Sequence, residues 1–261
     1  MADDVRNDTL EGALAATEAD AQHAIESATR ALQQLKKARV AAVSGNLREL
    51  TKALEAVGTA MADAHAQADS VVAGWQFDDR QYLESGAFAR ELQEMAKARG
   101  LTMIEQDGRL LTYPSVIRVL PAEAAVEIDH QRERKIRPSV LIDQLRARQQ
   151  KPLRVKVDQF VELLHRKYEM QLALEGKQPG ATVRLLDIYS LLTPMPGHAR
   201  DYSRQEFARD IYQVDHAGDA ETRNGWKLSL RAATGTKGSG TLSTVTPEGN
   251  LKIYYSIAFD R

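Results

Sequence analysis

From Leu47 to Trp75 the chain places Leu47, Leu50, Leu54, Val57, Met61, Ala64, Ala68, Val71 and Trp75 at alternating steps of three and four. An α-helix turns once in about 3.6 residues, so this spacing gathers a single apolar seam, the pattern of a coiled coil and one that a strand cannot satisfy. Asn46 and Glu49 stand at capping-box spacing at its start, where each side chain can reach the other's backbone N–H. The preceding stretch from Leu10 to Val43 is Ala-rich and has neither Gly nor Pro after Gly12. Ile25, Ala28, Leu32 and Leu35 sit there at seam spacing, and Ser44-Gly45-Asn46 interrupts the run. Two helices joined so tightly are expected to lie antiparallel. Alanine buries little area, so the first helix contributes a weak seam. The hairpin is therefore expected to serve as an arm for oligomerisation or partner docking through Leu47, Leu50, Leu54, Val57, Met61, Val71 and Trp75. The competing expectation is an internal helical subdomain. His23 and His65 flank the seam as solvated side chains. A third helix is predicted over residues 80–99, capped by Asp78 or Asp79 and stopped by Gly100.

After Gly100 the periodicity changes. LTMIEQDGRLLTY carries Asp107-Gly108 between β-capable runs, a strong hairpin signal. SVIRVLP and AAVEIDH read as two more strands, and ERKIRP as a fifth, which predicts an antiparallel meander over residues 101–137. Pro138-Ser139 opens a helix with Val140, Leu141 and Leu145 inward. Asp158 caps another, in which Phe160, Val161, Leu164, Tyr168 and Leu172 form the apolar stripe and His165, Arg166 and Lys167 face outward or sideways.

In the last third, Leu185, Leu186, Ile188, Tyr189, Leu191 and Leu192 form a short apolar helix. Ser203-Arg204-Gln205-Glu206 is a capping box opening a second helix, and WKLSLRA, TLSTV and LKIYYSIAF read as strands, the last two joined by Pro247-Glu248-Gly249-Asn250. In element order alone, residues 181–261 resemble the winged-helix arrangement. That resemblance implies a recognition-like helix at 203–216 with Arg204, Gln205 and Arg209 outward, and a wing-like tip at GTKGSGT carrying Lys237. Asp210, Asp215 and Asp219 lie close by and would repel a phosphate backbone, so a protein-binding role for this unit is equally open. The expected fold is α+β: a helical coiled-coil arm over 1–99, a basic β-meander with helices over 100–180, and a winged-helix-like unit over 181–261.

Charge divides unevenly among these parts. Residues 1–99 hold 11 basic and 16 acidic side chains, residues 100–180 hold 14 and 11, and the whole chain is −1. Between Arg132 and Lys156, nine basic residues stand with two acidic ones. Arg132, Arg134, Lys135, Arg137, Arg146, Arg148 and Lys151 are accordingly candidate phosphate contacts, with Arg204, Arg209 and Lys237 from the last third. The competing reading is ordinary: cations offset the macrodipole at helix ends and guard sheet edges.

The sequence has no cysteine, which excludes disulfides, thiolate chemistry and Cys-ligated zinc. The six histidines show no HxxxH or HExxH spacing, and no GxSxG elbow or Walker loop occurs. No apolar run approaches the ~20 residues of a membrane span, and the start lacks the pattern of a secretory signal. A soluble, cytoplasmic protein without a cofactor is expected. Glu133-Arg134-Lys135 with Asp107 or Asp129 matches the D…ExK set of Mg²⁺-dependent restriction-type nucleases. The preferred expectation is a non-enzymatic subunit or adaptor of a cytoplasmic multi-protein assembly that contacts nucleic acid through the central basic face and the last third. The alternatives are such a nuclease, or a pure protein scaffold.

Overall fold

The computed structural model describes residues 8–152, 156–195, 197–218, 220–231 and 240–261. The chain divides into two compact units, Met1–Glu91 with Arg137–Ser139, and Leu92–Ile136 with Val140–Arg261. The whole is α+β, as the sequence predicts.

In the first unit, α1 (Leu10–Ser44) and α2 (Leu47–Gly74) form a hairpin. Thr9 caps α1, its side chain accepting from Gly12 N–H. Gly45 ends it at φ 69°, a left-handed conformation that glycine adopts without a Cβ penalty. Asn46 caps α2 by accepting from Glu49 N–H at 3.2 Å. The return bond of the expected box is not made, and the Glu49 carboxylate lies instead 3.9 Å from Lys52 Nζ. The helix predicted over 80–99 is two helices, α3 (Asp79–Glu84) and α4 (Ala87–Ala98, of the second unit from Leu92 on), because Gly86 turns to φ 75° between them. Asp78 caps α3 through Gln81 N–H. Glu91 accepts from the backbone N–H groups of Leu10 and Glu11 at 3.1 and 3.0 Å, and from the Tyr82 hydroxyl at 2.9 Å. A carboxylate at the positive end of so long a helix satisfies orphan donors and opposes the macrodipole.

The second unit holds the predicted meander. Strands β1 (Ile104–Gln106), β2 (Arg109–Thr112), β3 (Ser115–Leu120), β4 (Ala125–Ile128) and β5 (Gln131–Glu133) follow one another as an antiparallel sheet in sequence order. β5 starts earlier than the expected ERKIRP strand and ends at Glu133. Two helices follow, α5 (Pro138–Gln150), whose first two residues belong to the first unit, and α6 (Val157–Glu175). The remaining elements are β6 (Val183–Arg184), α7 (Leu185–Leu192), α8 (His198–Asp201), α9 (Arg204–His216), β7 (Lys227–Arg231), β8 (Leu242–Val245), β9 (Leu251–Tyr254) and β10 (Ser256–Asp260). LKIYYSIAF, expected as one strand, is two: β9 pairs with β8, and after Tyr255 the chain passes to β10, which lies between β6 and β7. Phe160, Leu164, Tyr168, Ile188, Phe207, Ile211, Ile257 and Phe259 meet in one core drawn from α6, α7, α9 and β10. His165 belongs to the same interior, buried beside the rings of Trp226 and Phe259. The apolar stripe of α6 is thus wider than its outward reading allowed.

Candidate functional site

The hairpin does not close on the seam that the large residues suggest. The positions of α1 that turn inward are small: Ser27, Ala31, Ala38 and Ala41 are buried and Ala24 is half-buried. Facing them, α2 offers Ala53, which is buried, and Leu50, Val57, Ala60, Ala64 and Val71, which are half-buried. These positions repeat every three or four residues, one step around the helix from Leu47, Leu54, Met61 and Trp75. That second row stands outward, 74%, 55%, 49% and 39% exposed. Small side chains let two helices approach closely, and the larger ones are then displaced to the flank. On α1 the displaced row is Ile25, Leu32 and Leu35, all exposed.

In an antiparallel pair the flanking positions that follow the seam on each helix fall on one side of the pair. The rows Ile25, Leu32, Leu35 and Leu47, Leu54, Met61, Trp75 therefore share one broad face of the hairpin. The opposite flank carries His23, Arg30, Lys37, Glu49 and Asp63. Of the seven docking residues read from the sequence, Leu50, Val57 and Val71 belong to the internal seam, and Leu47, Leu54, Met61 and Trp75 form the outward row.

Four cations of the basic run from Arg132 to Lys156 are engaged within the fold. Arg132 pairs with Glu123 at 2.8 Å and Arg148 with Asp129 at 3.1 Å. Lys151 pairs with Glu206. Arg137 donates to Glu11 at 2.8 Å and to Glu18 at 2.5 Å, while Glu11 also accepts from Ser139 N–H and Oγ. Burial would raise the Glu11 carboxyl's pKa, but the bonds from Ser139 and Arg137 outweigh it and hold the group below its ordinary value. Arg134, Lys135 and Arg146 are exposed and make no ion pair among the described residues.

Within the last third, α9 is covered on most of its surface. Phe207, Ala208, Arg209, Asp210, Ile211, Tyr212 and Val214 are all buried, and only Arg204, Asp215 and His216 are exposed along it. Arg209, read from the sequence as an outward donor, is 2% exposed. Its Nε and Nη2 donate to Asp210 Oδ1 at 3.1 and 2.7 Å, and Nη1 donates to the Lys151 carbonyl at 3.1 Å. Asp210 also accepts from the Tyr202 hydroxyl at 2.9 Å. Burial raises the Asp210 carboxyl above its usual range, and the Arg209 guanidinium opposes that rise. Four residues to either side of Arg209 on the same helix face, Gln205 Nε2 donates to the Pro114 carbonyl and Gln213 Nε2 to the Tyr113 hydroxyl. Sequence patterning missed this because Arg209 and Asp210 neutralise each other inside the fold, and a helical wheel assigns charged pairs to solvent. Lys237 and Asp219 lie outside the described residues.

The carboxylates of the ExK reading have structural partners. Asp107 sits in the β1–β2 turn at φ 52°. The side chain of Asp129, a half-buried residue, is itself buried, accepting from Ser115 Oγ at 2.7 Å and Val116 N–H at 2.9 Å. Burial raises its pKa against those bonds and the Arg148 charge. Glu133 accepts from Lys135 N–H at 2.8 Å. Among the described residues no group of three or more His, Asp or Glu side chains is arranged to hold a metal ion, and no helix there is long and apolar enough to cross a membrane. The chain matches no family model, no curated protein and no solved structure.

Proposed function

We propose that the protein is a non-enzymatic subunit of a cytoplasmic multi-protein assembly, docking to protein through the apolar face of its helical hairpin. One observation carries this reading: the hairpin closes on small residues with Leu50, Val57 and Val71, and leaves Leu47, Leu54, Met61 and Trp75 exposed at seven- and fourteen-residue steps along one side of α2. Large contiguous apolar faces are rare on monomeric soluble proteins and mark association surfaces. Over residues 181–261 the order strand, helices and four strands, with β10 between β6 and β7, supports the winged-helix-like reading of that unit. The burial of α9 favours a protein-binding use of that unit over reading a nucleic-acid groove. Contact with a polyanion then falls to Arg134, Lys135 and Arg146, which keep their charge exposed.

Site-specific photo-cross-linking in the cell of origin tests the docking reading. A photoreactive side chain at position 54 should give a discrete protein adduct, and one at position 63, on the polar flank, should not. Absence of any adduct at 54, or equal yields at the two positions, would overturn it.

A further inference from the structure

The hairpin is electrically polarised along its length. Residues 30–55, the half around the turn, hold six Lys or Arg and two Glu. Residues 8–29 and 56–75, the half remote from the turn, hold seven Asp or Glu and no Lys or Arg. Arg137 engages Glu11 and Glu18, and the other five acids are Asp8, Asp20, Glu26, Asp63 and Asp69. The two ends of the hairpin thus differ in charge, with Arg30, Lys37 and Asp63 carried on the flank opposite the apolar face.

The apolar rows are also symmetric about one level. On α2 the sequence Leu47, Leu54, Met61, Ala68, Trp75 advances by sevens and is centred on Met61. On α1, Ile25, Ala28, Leu32 and Leu35 are centred on position 30. Met61 lies sixteen residues beyond Gly45 and Arg30 fifteen before it, so at about 1.5 Å per residue the two centres share a level to within roughly one residue's rise. A two-fold axis lying in the face at that level, perpendicular to the helices, sets Leu47 against Trp75 of a second copy, Leu54 against its Ala68, and Met61 against its Met61. On α1 it sets Ile25 against Leu35 and Ala28 against Leu32. Large residues meet small ones at two of these steps. The same operation lays each basic turn end over the other copy's acidic far end.

Resting on the docking reading above, we propose that the occupant of this face is a second copy of the chain, its hairpin laid antiparallel on the first to form a four-helix bundle with the two-fold axis at Met61. Isologous contacts of this kind are the commonest form of homo-oligomer. A parallel arrangement, turn over turn, would juxtapose like charges at both ends and would set Met61 against the region of Thr29. The antiparallel one brings opposite charges together at both ends and buries the apolar rows on each other.

The full-length chain is tested by sedimentation velocity across concentration and by cross-linking. It should sediment as a dimer whose dissociation constant weakens by roughly tenfold between low and high salt, because the end contacts are exposed and screened. Met61→Glu and Met61→Lys should each sediment as folded monomers, and an equimolar mixture of the two should recover the dimer, since position 61 faces itself. The chain has no cysteine of its own, so Met61→Cys should be joined to itself by a short thiol cross-linker. Leu47→Cys should join to Trp75→Cys and not to itself. A monomer at every concentration, no recovery in the mixture, or Leu47→Cys joining to itself would overturn the proposal. If position 54 still cross-links to a different protein in cells, the docking reading stands and the second copy is not its occupant. If it cross-links to nothing, both fall.

Discussion

Ala53 is buried at 8% exposure while Leu54, the next residue along α2, is 55% exposed. The hairpin is thus sealed by its small residues and presents its large ones. A seam made largely of Ala and Ser, with Leu50, Val57 and Val71 only half-buried, gives long helices little buried area. Other bonds within the first unit strengthen it: Glu91 at the start of α1, and Arg137 and Ser139 on Glu11.

Enlarging the seam should therefore cost more than trimming the face. Ala53→Leu forces a leucine into a contact shaped for a methyl group and should destabilise the chain by about 1–3 kcal/mol. Leu54→Ala, measured at concentrations too low for association, should stay within about ±0.5 kcal/mol. Urea denaturation followed by circular dichroism reads both. Equal losses would place Leu54 in the internal seam.

Arg209 should behave as a fold residue and not as a binding residue. Arg209→Ala leaves Asp210 buried without its guanidinium and the Lys151 carbonyl without its donor, a loss of about 3–5 kcal/mol for a broken buried pair. Arg204→Ala, at the exposed start of the same helix, should be nearly silent in stability. A denaturation midpoint for Arg209→Ala close to wild type would contradict the buried pair.

The Glu11 contact should be visible in the pH dependence of stability. Its folded-state pKa is lowered from 4.5, so the folded state binds fewer protons there than the unfolded chain. Its contribution is complete above about 4.5 and is lost as pH falls through the folded value. The stability gap between wild type and Glu11→Gln should be constant near neutrality and should close on acidification below that point. Asp129 has the opposite sign. Its pKa is raised, so its contribution improves as pH falls through the folded value towards 3.8. Two urea series, one for Glu11→Gln and one for Asp129→Asn, should diverge from wild type in opposite directions with pH. A Glu11→Gln gap that widens with acid would show that the carboxylate is not held ionised by Arg137 and Ser139.

Local periodicity carried much of the architecture into the sequence. The hairpin break at Ser44-Gly45-Asn46, the Asp107-Gly108 turn of the meander and the Ser203–Glu206 capping box are all short-range signals, and all appear in the structure. What escaped was set by long-range packing. Leu47, Leu54 and Met61 have the spacing of a seam, but Ala53 and Ala60 share that spacing one step around, and only the approach of α1 decides between them. Likewise nothing local distinguishes Arg148, which reaches Asp129 across nineteen residues of chain, from Arg146, which is exposed. Strand LKIYYSIAF reads as continuous because the sequence does not reveal that β8 and β7 claim its two halves.

The distinction between engaged and exposed cations gives a last expectation, for nucleic acid. At low salt the chain should bind single- or double-stranded nucleic acid weakly and without sequence preference. Each phosphate contact adds about 0.7–0.9 to the slope of log affinity against log salt. Replacing Arg134, Lys135 and Arg146 together by Ala should lower that slope by roughly two to three without unfolding the protein, since all three are exposed. Lys151→Ala should change it less than any one of them, because Glu206 already balances its charge. Filter binding or fluorescence anisotropy over a salt series measures both. If binding is absent at low salt, or if Lys151→Ala flattens the slope as much as an exposed cation does, the basic run serves only the fold. Arg132, Arg137, Arg148 and Lys151 are then the partners of Glu123, Glu11, Glu18, Asp129 and Glu206 and nothing more.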